Sequence, residues 1–169
     1  YDLSSDNTLD IIKTYKKKYL NIDILETKQK FGSAASNFFH MLKTFNFTEF
    51  DFISLADQDD IWHKNKLKNA VSKLNKGFDG YSSNVEAFWD YGRNEIIVKD
   101  QPQKKYDYLF ESAGPGCTYV ISKKLIQSLQ SFLRIKNITN FTLYHDWLIY
   151  SYARSNNFSW FIDNKIGMK

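Results

Sequence analysis

Cysteine is nearly absent from this chain: Cys117 stands alone among 169 residues. A lone thiol supports no disulfide framework, and a reducing compartment is the expectation. Long apolar runs are missing as well; none approaches the ~20 residues that a spanning helix needs. No signal peptide opens the sequence, which starts at "YDLSSD" without Met, so an upstream segment is expected to have been removed. Three scattered histidines and one cysteine give no zinc-ligand spacing. Internal repeats and low-complexity linkers are absent too.

What is present suits one packed domain over residues 1–169. Hydrophobic residues make up 43% and aromatics 17%, which argues against disorder. The net charge of +4 comes largely from "KTYKKKY" (13–19), "HKNKLKNAVSKLNK" (63–76) and "QKKY" (103–106). Solvated helix faces and a loop account for most of it. Attraction to an anionic ligand, such as a nucleotide diphosphate or a lipid phosphate surface, is the sharper reading. Nucleic acid is disfavoured, because basic and aromatic residues do not alternate in a groove-reading or single-strand pattern.

Along the chain, strand-like and helix-like stretches alternate. Residues 8–20 carry Leu9, Ile12, Tyr15 and Tyr19 on one helical face, with Ser4, Ser5 or Asp6 available as a cap. "IDILE" (22–26) predicts a strand, and 33–45 a helix with Phe38, Leu42 and Phe45 on one side. "FDFISLA" (50–56) predicts a strand buried on both faces. A Lys-rich helix over 63–76 ends at Gly77. Residues 81–98 predict extended chain with a glycine turn, 117–122 a short strand, 123–134 and 145–156 helices, and 158–163 a last strand. The alternation predicts an α/β fold with a mainly parallel sheet flanked by helices, whose ligands bind at the carboxyl ends of the strands.

One such end carries "LADQDDIW" (55–62), three carboxylates within four positions. Mg²⁺ takes one or two protein carboxylates together with substrate phosphates, which a D-x-D turn can supply. A calcium loop counted from Asp57 would need Gly and Glu where Trp62 and Lys68 stand. A helix cap accounts for Asp59 or Asp60, but hardly for three acids beside an apolar strand.

"FISLADQDDIWHKNKL" resembles the D-x-D segment of family 2 glycosyltransferases with the GT-A fold, in particular the rhamnosyltransferase-like branch that writes it DQDD-x-W. In the same order, "YDLSSDNT" (1–8) is similar to the family's nucleotide-binding turn, with Tyr1 in place of its first acid. "FGSAASNFFHML" (31–42) resembles its G-x-A-x-N helix start, "GPGCTYVISKKL" (114–125) its glycine-rich acceptor segment, and "HDW" (145–147) its catalytic motif. The resemblance implies an inverting, metal-dependent glycosyltransferase that uses a dTDP- or UDP-sugar, with rhamnose a candidate sugar. It also implies a glycan or lipid-linked acceptor in surface polysaccharide synthesis. The site would be cytoplasmic, at the inner face of the membrane, with peripheral membrane association.

By the same resemblance, Asp2, Asp6, Asn37 and Asp57 bind the nucleotide sugar, and Asp59 with Asp57 holds Mg²⁺ or Mn²⁺. Asp146 is the catalytic base, and Asp60, Trp62, Gly114, Gly116, His145 and Trp147 border the acceptor and sugar. Plainer readings stand beside these. Ser36 and Asp146 can be helix caps, "AGPGC" (113–117) an ordinary turn, Trp62, Trp147 and Trp160 core residues, and Cys117 a small buried hydrophobe. Two other functions stay open: a non-catalytic carbohydrate-binding domain of the same fold, and a Mg²⁺-dependent phosphotransferase with an aspartyl nucleophile. The resemblance further implies that two N-terminal strands of the fold lie outside residues 1–169, placed between 22–26 and 50–56.

Overall fold

A computed structural model of the chain describes residues 2–135 and 144–169. Five α-helices and five strands follow one another in these residues: α1 (Thr8–Lys18), α2 (Ala34–Thr44), β1 (Phe52–Ser54), α3 (Lys66–Leu74), β2 (Gly80–Phe88), β3 (Asn94–Ile97), β4 (Val120–Ser122), α4 (Lys123–Ile135), α5 (His145–Ser155) and β5 (Trp160–Met168).

The strands form one sheet. β2 lies at its centre, with β5 along one edge and β4 followed by β3 along the other; β1 closes the far side of β4. Period-two alternation sends side chains to two layers. Val120 faces α3 with Ala70, Leu74 and Tyr81, whereas Ile121 faces α2, α4 and α5 with Phe39, Leu129, Ile149 and Trp160. The outcome is an α/β fold with helices on both faces of a mixed sheet.

The expectation of a mainly parallel sheet needs correcting, because only β2 and β5 pair in parallel. β1, α3 and β2 do form a crossover that brings the two strands back in the same direction, as such connections require. β4 then inserts between them, antiparallel to both. Two local expectations also change. Residues 22–26 have an alternating pattern, but a strand exists only through a ladder partner, and none of β1–β5 pairs with them. The stretch 50–56 yields only three strand residues, half-buried rather than enclosed, because β1 pairs with β4 alone.

Candidate functional site

The acidic loop leaves the carboxyl end of β1 and is stapled at its far side to β5. Ile61 N donates to Lys169 O, Lys169 N returns a bond to Ile61 O, and His63 N donates to Gly167 O. Trp62 bridges to Met168 in the same ladder. Held at both ends, the loop turns Asp57 and Asp60 inward to half-burial and leaves Asp59 exposed.

Cys117 arrives from the turn that precedes β4. Its sulfur and one carboxylate oxygen each of Asp57 and Asp60 all lie within 4.8 Å of one another. Burial raises the pKa of Asp57, and the nearby charges of Asp60, Asp59 and Asp146 raise it further. Burial likewise pushes the Cys117 thiol up, with Asp60 adding to the effect, so the sulfur stays protonated. Two carboxylates beside an uncharged thiol fit a hard divalent cation held by Asp57 and Asp60, since Mg²⁺ and Mn²⁺ favour oxygen over sulfur. When bound, such an ion would neutralise charge on a departing diphosphate. Asp59, expected as a ligand, is outside this group, and Asp60 is inside it.

Across the site stands the first turn of α5. Asp146 is not the cap that the sequence allowed, since Tyr144 holds that position without a side-chain bond; it lies inside the first turn, accepts from Trp147 N at 2.7 Å, and its charge reaches Asp57. His145 stacks on Phe38 with ring centroids 4.4 Å apart. Burial lowers its pKa, which keeps the imidazole neutral, and its Nε2 is buried with no hydrogen-bond partner among the described residues. That nitrogen sits directly over Gly116, where an added Cβ would overlap it. Gly116 is therefore explained by His145, while Gly114, at φ 123, makes the turn. Trp147 donates from Nε1 to Tyr108 O at 2.7 Å and borders a shallow cleft with Tyr144, Leu148 and Ser151.

Of the other expected residues, Asp2 and Asp6 have internal partners of their own. Asp2 accepts from Phe31 N (2.7 Å) and Gly32 N (2.9 Å), and these bonds lower its pKa; they tie the N-terminal turn to the start of α2. Asp6 accepts from Thr8 N and Thr8 Oγ1 at the start of α1. Tyr1 lies outside the described residues. At α2 the cap is Ser33, which accepts from Ser36 N, and Asn37 on the first turn has a buried Oδ1 with no partner among the described residues. Trp160 is core, as read from the sequence, and Trp62 covers a buried ammonium, that of Lys66.

Lys66 was missed by sequence reading, although a signal existed. Lys66, Ala70 and Leu74 recur at four-residue spacing and are the buried stripe of α3. Among so many lysines the stripe was easy to overlook. Cys117, read as a small hydrophobe, is indeed buried but also borders the acids.

The sequence model described as "Glycosyl transferase family 2" matches residues 2–135. The chain is also 44% identical over 167 residues to a dTDP-rhamnosyl transferase, RfbG, of Shigella flexneri; the match covers 97% of this chain and 58% of that relative. A family match over residues 2–135, most of the sequence, makes this chain a member of glycosyl transferase family 2.

Proposed function

We propose that this chain is the nucleotide-sugar-binding and catalytic part of an inverting rhamnosyltransferase. It would transfer rhamnose from dTDP-rhamnose to a glycan or lipid-linked acceptor in surface polysaccharide synthesis. The observation that carries the reading is the gathering of Asp57 and Asp60 on one loop, with Asp146, from the first turn of α5, close enough for its charge to help raise the pKa of Asp57. The 44% identity to a dTDP-rhamnosyl transferase supports the choice of donor.

In this reading Asp57 and Asp60 would hold Mg²⁺ or Mn²⁺, which would supply charge neutralisation for the diphosphate, and exposed Asp59 would face the incoming nucleotide. Asp146 takes the proton from the acceptor hydroxyl as that oxygen attacks the anomeric carbon on the face opposite the leaving group. His145, neutral and packed on Phe38 and Gly116, fixes the first turn of α5 beside the acceptor. Work at the inner membrane face suits a lipid-linked acceptor, and among the described residues no helix is long and apolar enough to cross a membrane.

The direct test is Asp146→Asn in the full-length protein. Asparagine keeps the size but cannot take up the proton, so dTDP-rhamnose binding in calorimetry should persist while transfer falls by 100-fold or more, on the order expected for a lost general base. Near-normal turnover by this variant would exclude Asp146 as the base.

A further inference from the structure

The side chain of Lys66 is an unusual thing to bury. Lysine is almost never fully enclosed unless paired, yet Lys66 is only 1% exposed. Its Nζ lies 3.4 Å from the centroid of the Trp62 ring and 3.0 Å from Ser54 Oγ, at the carboxyl end of β1. Ser54 Oγ in turn donates to Tyr119 O at 3.1 Å. The ammonium makes no direct ion pair among the described residues. Burial pulls its pKa down to about 8, while Cys117 and Asp60 act in the opposite direction. At neutral pH it is therefore mostly charged.

An apolar side chain would fill this position without the desolvation cost. The face of Trp62 favours the charge, but neither it nor the hydrogen bond to Ser54 supplies a negative counter-charge. Ser54 precedes the acidic loop and Trp62 follows it, so these two contacts hold the ammonium between the two ends of the loop that carries Asp57 and Asp60. We propose that Lys66 is the built-in counter-charge of this acidic cluster, a positioning residue that weakens the hold of Asp57 and Asp60 on a divalent cation until a diphosphate is present, and that attracts the diphosphate. The proposal rests on the metal reading above. Physically, the ammonium repels a dication at the carboxylates and attracts the phosphate oxygens. Its removal should therefore shift the two affinities in opposite directions.

The experiment compares Lys66→Met and Lys66→Gln with Lys66→Arg and the unmodified full-length protein, at pH 7.5. Mn²⁺ binding is followed by calorimetry without nucleotide, and dTDP binding is followed separately in EDTA. Both neutral variants should bind Mn²⁺ about tenfold more tightly, the effect of one unit charge on a nearby dication in a water-like dielectric. Both should bind dTDP in EDTA severalfold more weakly, and Lys66→Arg should match the unmodified protein. A merely structural lesion would weaken both ligands together. Unchanged or weaker Mn²⁺ binding by folded neutral variants would overturn the proposal. So would the collapse of both neutral variants while Lys66→Arg folds, since the charge would then serve the fold. Absence of Mn²⁺ binding by the unmodified protein would instead overturn the metal reading itself.

Discussion

At Gly116 a single missing side chain decides where an imidazole can lie. A Cβ there would overlap His145 Nε2, which is also packed against Phe38. Gly116→Ala should destabilise the protein by about 1–3 kcal/mol through overpacking. Adding His145→Ala to it should recover part of the loss, and thermal melts of the two single variants and the double variant measure the coupling. A second residue-scale prediction concerns Asp57. Its folded-state pKa lies above its unfolded value, so the folded chain binds that proton more tightly. In metal-free protein this group therefore lowers stability as pH rises from the ordinary carboxylate range through the raised pKa, and the loss persists at neutral pH. Asp57→Asn should raise the melting temperature in EDTA at neutral pH and abolish Mn²⁺-dependent dTDP binding. A lower melting temperature would show that the carboxylate supports the fold instead. Residues of this kind were legible in part. The D-Q-D-D spacing identified the cluster, but which two of its acids turn inward depends on the staple between the loop and β5.

At the scale of elements, α5 is aimed by a short turn that sequence periodicity does not reveal. Asp107 accepts from Arg154 Nη1 (3.1 Å), Tyr150 OH (3.2 Å) and Lys104 N (3.0 Å), and the neighbouring Tyr108 O accepts from Trp147 Nε1 and Ser151 Oγ. Arg154 and Asp107 are both 16% exposed at the side chain, so this is a sheltered pair rather than a surface one. Asp107→Ala should cost about 1–3 kcal/mol of stability, because it leaves buried donors unsatisfied. It should also lower kcat more than it raises the donor KM, because the helix that carries Asp146 loses its anchor. An unchanged melting temperature would show that the turn does not hold α5. The helices themselves were readable, since α2, α3, α4 and α5 all fall within a few residues of their periodic patterns. Strands were harder to read. The pattern of 22–26 matches that of a strand, but pairing depends on what lies alongside, which local sequence does not record.

At the scale of the whole molecule, apolar surface gathers where the sheet ends. Among the described residues β1 pairs on one side only, and next to its free edge runs a groove of about 350 Å³ lined by Leu25, Phe38, Met41, Phe45, Phe47 and Ile53. The groove lies between residues 22–26 and β1. α1 buries none of its residues fully, and Ile11 and Tyr15 are more than half exposed on it. An unpaired strand edge beside a wide apolar groove is a template for association, and a patch of this kind seldom stays bare on a soluble chain. Residues 1–169 expressed alone should therefore bind a hydrophobic dye such as ANS in the folded state and self-associate with rising concentration in sedimentation. A monomeric 1–169 without dye binding would mean that the groove closes on itself, and that β1 needs no neighbour beyond β4.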